Sequence, residues 1–350
     1  MARWTCGIVS STVDDPLQTS LARGPRIAAI GGGTGLSTLL RGLKESSSNI
    51  TAVVTVADDG GSSGMLRTEL GLPPVGDLRN CIAALADAEP TMARLLQYRF
   101  PQDPGDPSTN GVSGHAFGNL LIAALSAIEG DFEEGVRQSN RVLAVRGKVV
   151  PVAGHALTLH AEMADGQTLE GQSLISRSRG IRRVWISPRE VAASADATAS
   201  IGAAELIVLG PGSLYTSLLP SLLVPGIRAA LRGATGLRVY VANVAAQVGE
   251  TEGYGLGEHL AALQTHGVGD LVDVVVANDN RKARVPPGYP SAPVTIDLPA
   301  GQGRPRLVLA DVVDDQNAHH HDPRKLAAVL LGLQEERPAS RLGPAAVRSA

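Results

Sequence analysis

The chain has 350 residues and a formal net charge of −3, which argues against an obligate nucleic-acid binder, since such proteins usually have a basic balance. Its apolar fraction of 43% suffices for a full core, and its 40 glycines suit many tight strand–helix turns. The two cysteines provide neither a disulfide framework nor a metal cluster, and they indicate a reducing, cytoplasmic environment. No apolar run has the length of a membrane span, so no membrane-spanning helix is expected.

Strands and helices are predicted to alternate along the first half of the chain. Ile27–Ile30 and Thr51–Ala57 predict buried strands, and the leucines of residues 35–45 recur at helical spacing. Asp77 is expected to cap a helix that carries Leu78 and Leu85. Further helices are predicted at residues 91–99, Phe117–Ile128 and 132–144, with a loop at residues 101–114.

The second half interrupts and then resumes this alternation. Residues 148–186 alternate around Asp165-Gly166, which is a hairpin signal, and they predict a β-rich insertion. Strands are then predicted at Glu205–Leu209, Leu237–Val241, Leu271–Ala277, Pro293–Leu298 and Arg306–Val313, and helices at Gly255–His266 and Asp322–Glu335. The fold class is therefore α/β, a mainly parallel sheet with helices on both faces. One domain over residues 26–336 is expected, between flexible tails at residues 1–25 and 337–350.

The loops after residues 30, 57, 209, 242 and 277 are expected to share the carboxyl edge of this sheet, where such folds bind ligands. The first loop, Gly31–Ser37, puts a glycine turn at a helix N-terminus, an arrangement that aims backbone N–H groups at phosphate. Its spacing fits neither the dinucleotide fingerprint nor the P-loop. Anion binding is favoured, and a turn without a ligand is the alternative.

Polar residues follow the second strand and open two helices. Asp58 and Asp59 point in opposite directions on extended backbone, so at most one faces a given ligand atom. That one is suited to a sugar hydroxyl or to Mg²⁺ through water, unless the pair only forms a helix-capping turn. Asp77 is either a ligand contact or a cap. Arg79, beside Asn80, is placed to pair with a phosphate.

Four further groups of residues have more than one possible role. His115 and Asn119 lie one helical turn apart, and they either reach a ligand or form local hydrogen bonds. The loop Gly210-Pro211-Gly212-Ser213 favours a second phosphate or sugar contact over a simple turn. Asn243 and Gln247 follow another strand and are suited to a base edge or sugar hydroxyls. His319-His320-His321 is interpreted as a polar turn with one functional histidine in preference to a metal site.

Six motifs, in order, resemble the gluconeogenesis factor family within the superfamily of 2-phospho-L-lactate transferase (CofD-like). They are Ala28–Ser37, Thr55–Gly64, Pro74–Asn80, His115–Leu121, Gly210–Tyr215 and Gly249–Tyr254. The resemblance implies a Rossmann-like core that binds UDP-N-acetylglucosamine, with no required cofactor. It implies a cytoplasmic regulator that supports cell-wall synthesis and cell shape on gluconeogenic carbon sources. Because no catalytic signature is recognised in the sequence, regulation is favoured, and Mg²⁺-dependent transfer from a nucleotide-linked donor is the alternative.

The resemblance also assigns roles to individual residues. It implies that the residues around the nucleotide sugar are Gly32, Gly33, Thr34, Gly35, Leu36, Gly212, Ser213, Asn243 and Tyr254. It places Asp58 and Asp59 at the position that meets the acceptor or the metal in the transferases. The family often has Arg-His-Asp-Thr before the last helix, where this chain has His320-His321-Asp322-Pro323. His320 therefore stands in place of a ligand-binding arginine, and Pro323 cannot be phosphorylated.

Partners follow from the same resemblance. A Ser/Thr protein kinase and cell-wall synthesis proteins are the expected ones, with the kinase acting at a site other than Pro323. Arg177, Arg179, Arg182 and Arg183 are interpreted as a solvated face, with a partner surface as the alternative. The sequence is compatible with a homodimer, and it leaves the downstream partner open.

Overall fold

The fold is that of a computed structural model, which describes residues 23–87, 90–101, 111–286, 291–298 and 305–336. The predicted C-terminal tail and most of the predicted N-terminal tail lie outside these residues. So does most of the predicted loop at residues 101–114.

The strands and helices of the described residues alternate only in part, since five helices follow one another between the second and third strands. The strands are β1 (Ile27–Gly31), β2 (Ile50–Val54), β3 (Lys148–Pro151), β4 (Thr158–Met163), β5 (Thr168–Glu170), β6 (Ile181–Ser187), β7 (Leu206–Leu209), β8 (Leu237–Val241), β9 (Val274–Asn278), β10 (Arg306–Ala310), β11 (Val313–Asp314) and β12 (Asn317–His321). The helices are α1 (Gly33–Leu43), α2 (Gly61–Leu70), α3 (Gly76–Leu85), α4 (Pro90–Gln97), α5 (Phe117–Glu129), α6 (Phe132–Val142), α7 (Gln172–Ile175), α8 (Ala195–Ala203), α9 (Leu219–Leu222), α10 (Pro225–Gly233), α11 (Leu256–Thr265) and α12 (Pro323–Glu335).

The main sheet has seven strands in the order β3-β2-β1-β7-β8-β9-β10. Every neighbouring pair in it is parallel, so all the carboxyl ends share one edge. The chain builds outward from β1 through β3 and then returns to place β7 on the other side of β1. Strand order therefore reverses between β1 and β7, as in Rossmann-like folds, and this gap is where such sheets bind ligands.

The central strands are buried on both faces. Every residue of β1, β2 and β7 is buried, which fits their continuous apolar sequences. The predicted leucine stripe of α1, including Leu36 and Leu43, is fully buried, and α1 packs against α3 and α12. Helices α8 and α10 pack against each other. The predicted α/β class is thus confirmed.

The insertion begins later than predicted. Lys148–Pro151 is β3, the edge strand of the main sheet, because its backbone pairs with residues Thr51 to Val54. The insertion itself is the antiparallel sheet β5-β4-β6, with the predicted turn at Asp165-Gly166 between β4 and β5. The prediction that residues 148–186 form one β-rich unit is wrong at its first strand, since this pairing is non-local.

Two other predictions need correction. Pro293–Leu298 forms no strand, and only an isolated bridge joins Pro293 to Ala245. Asp77 does not cap its helix, since α3 already begins at Gly76 after Val75. Within the described part of the chain, no single helix is long and apolar enough to cross a membrane. One pair of helical segments, 214–222 and 225–233, passes by length and composition but is bent by 73°.

Candidate functional site

A cleft of about 530 Å³ lies at the reversal of strand order. Its walls are the loops that follow β1, β7 and β8, together with strand β12. The lining includes Gly33, Thr34, Gly35, Gly212, Ser213, Asn243, Gln247 and His320. Three of the loops predicted to converge therefore meet in one cavity, whose size is that of a small-molecule site.

The N-terminus of α1 opens into this cleft. Gly32 precedes the helix without a side-chain cap of its own, the Gly33 N–H bonds to the Asp77 carboxylate, and the next backbone N–H groups lack intrahelical partners. A Cβ on Gly35 would lie 2.7 Å from the carbonyl oxygen of Pro211, so the β1 and β7 loops approach too closely for any side chain there. The side chain of Leu36 is fully buried in the core and does not line the cleft.

Asp77 stands beside this helix end. A Cβ on Gly32 would collide with its carboxylate, which shows how closely the two pack. Burial, together with the charge of Asp58, raises the pKa of Asp77 to about 6, and the backbone N–H of Gly33 only partly opposes the shift. A titratable carboxyl group therefore lies where an anion would approach α1.

The β7 loop is arranged differently from the β1 loop. The helical segment after it begins at Leu214, and the buried carboxylate of Glu250 already occupies its N-terminus. Glu250 accepts a hydrogen bond from the Thr216 hydroxyl at 2.7 Å and a longer one from the Tyr215 N–H at 3.4 Å. The predicted second phosphate contact at this helix end is therefore filled by the protein itself.

Other groups of the β7 loop hold neighbouring side chains in place. The Gly212 N–H donates to Asn243 Oδ1 at 3.2 Å, and the Ser213 hydroxyl donates to Gln247 Oε1 at 2.6 Å. These bonds leave the amide nitrogens of Asn243 and Gln247 available at the cleft. Gly210 joins the start of this loop to β1, because its N–H donates a hydrogen bond to the Ile30 carbonyl.

The two adjacent aspartates diverge, as predicted from extended backbone. Asp59 Oδ1 accepts the Ser173 N–H at 2.8 Å and thereby holds the insertion. Asp58 Oδ1 accepts the Gly60 N–H at 3.0 Å, and burial raises the pKa of Asp58. The charge of Asp59 helps to raise the pKa of Asp58, and the charge of Asp58 helps to raise that of Asp77, so Asp58 lies between two other carboxylates.

Arg79 lies beside Asp58 and Asp77. It is 9% exposed, and its Nη2 donates to Asn80 Oδ1 at 2.9 Å, while its buried Nε has no hydrogen-bond partner. Burial and the nearby Arg99 lower the pKa of its guanidinium. Arg79 and Asn80 thus form a local pair next to these two carboxylates, and neither lines the cleft.

His115 and Asn119 both meet Ser62 at the start of α2. The Ser62 hydroxyl accepts from Asn119 Nδ2 at 2.9 Å and from the Ala116 N–H at 3.2 Å, and it lies 3.2 Å from His115 Nδ1. All these groups are buried. Of the two alternatives for His115 and Asn119, the structure therefore shows local hydrogen bonding, with Ser62 as the shared partner.

Replacing Ser62 with alanine should lower the free energy of unfolding by about 1–3 kcal/mol, because it leaves buried donors without an acceptor. Thr68→Ala on the same helix is the matched control, since Thr68 is exposed and bonds only to the Gly64 carbonyl. Urea denaturation of both variants measures the difference. Equal stability of the two variants would contradict the central role of Ser62.

The histidines of β12 line the cleft without forming a metal cluster. His321 is buried and lies 3.2 Å, through Nε2, from the Ala242 carbonyl, and burial lowers its pKa to about 4. His320 is exposed at the cleft wall. Within the described ranges, no group of three or more His, Cys, Asp or Glu residues is placed to hold a metal ion.

Tyr254 lies away from the cleft lining. Its hydroxyl is 3.1 Å from the hydroxyl of Tyr215, behind the β7 loop. Glu250 and Ser62 are the polar residues that sequence reasoning did not single out. Glu250 stands in the quoted Gly249–Tyr254 motif, and an acidic residue between two buried segments is the signal that could have identified it.

Comparison with known proteins agrees with this architecture. A family model described as 2-phospho-L-lactate transferase CofD matches residues 27–305. The chain belongs to this family. It is 43% identical to the gluconeogenesis factor of Bacillus subtilis over 89% of this chain and 99% of that protein. It is 48% identical to a putative gluconeogenesis factor of Nostoc over 89% of this chain and 69% of that protein.

A solved structure supports the same assignment. A crystal structure of a UPF0052 family member from Bacillus halodurans has a TM-score of 0.78 and 40% identity, and it covers 87% of this chain and 98% of that chain. The resemblance to the gluconeogenesis factor group of the CofD family is thereby confirmed over most of the chain.

Proposed function

We propose that the protein is a gluconeogenesis factor that binds UDP-N-acetylglucosamine and thereby regulates cell-wall synthesis and cell shape. The observation that carries this proposal is the cleft at the β1–β7 reversal, which Thr34 and Gly35 in the first turn of α1 line next to the Asp77-bound Gly33. Backbone N–H groups of Thr34 and Gly35 would bind the diphosphate. Asn243 and Gln247 would donate to the nucleoside or the sugar.

Asp77 makes a pH dependence part of the proposal. A diphosphate beside Asp77 favours the protonated carboxyl, so affinity should rise as pH falls toward about 6, by up to about tenfold per pH unit, and level off below it. Asp77→Asn should bind more tightly than wild type near neutral pH and should lose most of this dependence. Calorimetry in buffers of different ionisation enthalpy would detect the proton taken up by Asp77. Identical pH profiles for the two proteins would contradict this role.

A thermal-shift screen tests the proposal cheaply, because a ligand that binds only the folded protein raises the melting temperature. UDP-N-acetylglucosamine should raise it more than UDP-glucose or NAD does. Mass spectrometry of ligand released from the purified protein identifies any bound nucleotide independently. Absence of a shift with every UDP-sugar would remove the basis for the proposal.

One observation favours a second candidate, Mg²⁺-dependent transfer from a nucleotide-linked donor. Asp58 and Asp77 both have raised pKa values, and Asp77 packs against Gly32 at the start of α1. They offer two carboxylates, so a bound Mg²⁺ would need donor phosphate oxygens as further ligands, and it would neutralise charge on the donor. Turnover of a UDP-sugar that requires Mg²⁺ and fails in Asp58→Asn would favour this candidate. Survival of the ligand through long incubation with Mg²⁺ and cell extract would exclude turnover of that ligand.

A further inference from the structure

A second and larger cleft, of about 790 Å³, lies at the opposite edge of the sheet. Its floor is formed by buried residues of three neighbouring strands, Ile27, Thr51 and Val150. It also reaches the amino ends of β1 and β3, whereas the nucleotide cleft lies at carboxyl ends. Along the five residues of β1 the two are separated by roughly 13 Å. This cleft plays no part in the function proposed above.

The local sequence explains why the sheet is left uncovered here. Helix α8 faces the cleft with Asp196, Ala199, Ser200 and Ala203, which have the i, i+3, i+4, i+7 spacing of a single helix face. In a core-facing helix these positions usually carry large apolar side chains. Helix α6 contributes Arg137, Asn140 and Arg141, and Ala144 lines the cleft just after this helix ends. The small side chains of the α8 wall therefore leave a gap over β2.

The walls are held in place by polar contacts. Arg137 of α6 bonds to Asp196 of α8 at 2.9 Å and so joins the two walls. Asn140 bonds to the Val149 carbonyl at 2.8 Å and accepts the Val149 N–H at 3.1 Å, which ties α6 to β3. The cavity is therefore built into the fold and does not depend on a ligand to open it.

The charge of the lining is one-sided. Asp196, the single acidic residue that lines the cleft, is paired with Arg137. Arg26 is held by the Ala203 carbonyl and lies 3.8 Å from Glu205. Arg141 and Lys148 line the same cavity and make no side-chain hydrogen bond or ion pair within the described residues. The cleft therefore offers two cations without protein partners in the described part of the chain, Arg141 and Lys148, above a floor of buried strand residues.

We propose that this cleft binds a small organic anion. Arg141 and Lys148 pair with its carboxylate or phosphate group, and a flat or aliphatic body lies against Ala144, Ala199 and Ala203. The geometry suits a metabolite with one acidic end, and it makes this a binding site separate from the nucleotide cleft.

Calorimetry with benzyl phosphate and with phenylacetate tests this site and distinguishes phosphate from carboxylate recognition, with benzyl alcohol as the neutral control. At least one anion should bind, and benzyl alcohol should not. The double variant R141E/K148E should weaken anion binding about tenfold or more. R189E/K282E makes the same change of net charge at exposed positions outside the cleft, and it should bind as wild type does.

A second pair of variants blocks the cavity without changing charge. Ala199→Phe should fill it and abolish anion binding, whereas Ala195→Phe, on the same helix outside the lining, should not. Circular dichroism confirms that each variant is folded. The proposal is overturned if neither anion binds, if both charge variants lose binding equally, or if R141E/K148E instead alters the oligomeric state and leaves anion binding intact.

Discussion

Gly35→Ala is expected to lower the free energy of unfolding by about 1–3 kcal/mol and to weaken ligand binding at the nucleotide cleft. The new Cβ would lie 2.7 Å from the carbonyl oxygen and 2.8 Å from the carbonyl carbon of Pro211. Both are backbone atoms, so the β1 and β7 loops must separate. Because these loops form two walls of the cleft, one substitution alters both stability and the ligand geometry.

Gly332→Ala provides the control for this prediction. Gly332 lies in α12, and a Cβ there would meet nothing within 4 Å, so alanine should be neutral or slightly stabilising. Urea denaturation and a titration with UDP-N-acetylglucosamine measure the two effects. If Gly35→Ala behaves like Gly332→Ala in both measurements, the close contact of the two loops is wrong.

Glu250→Gln is expected to remove a pH dependence of stability worth up to about 3 kcal/mol. Burial raises the pKa of Glu250 from 4.5 to about 7. Between these values the folded protein holds a proton that the unfolded chain has released, so stability should fall as pH rises. Below pH 4.5 both states are protonated, and above about 7 both are ionised, so the difference levels off at each end.

The difference in unfolding free energy between wild type and Glu250→Gln isolates this group from Asp77, whose pKa is also raised. That difference should decline across the interval from pH 4.5 to about 7. Glutamine keeps an acceptor for the Thr216 hydroxyl and is the conservative replacement. A difference that stays constant with pH, or that grows as pH rises, would show that Glu250 is not a buried, desolvated acid.

Local patterns were enough to predict most of the fold. The leucines of α1 and the apolar runs of β1 and β2 carry their own periodicity, so their burial was readable from short windows. The divergence of Asp58 and Asp59 followed from extended backbone alone. Convergence of the loops followed once all strands were taken as parallel.

The predictions that failed concerned contacts between residues that are distant in sequence. Lys148 joins the main sheet through pairing with Thr51, which no local pattern in residues 148–186 reveals. Glu250 reaches Thr216 across 34 residues, and Ser62 reaches His115 across 53. These contacts decide that the β7 helix end is already occupied and that His115 is held internally. The candidate site therefore has fewer free polar groups than the sequence suggested, and α1 is the helix whose N-terminal residues line the cleft.

The most direct test of this account is a calorimetric titration with UDP-N-acetylglucosamine. Wild-type protein should bind one equivalent saturably and more tightly than UDP-glucose or NAD. Gly332→Ala should match wild type, and Gly35→Ala should bind more weakly. Absence of heat with every UDP-sugar, or undiminished affinity in a folded Gly35→Ala protein, would contradict binding at the β1–β7 cleft.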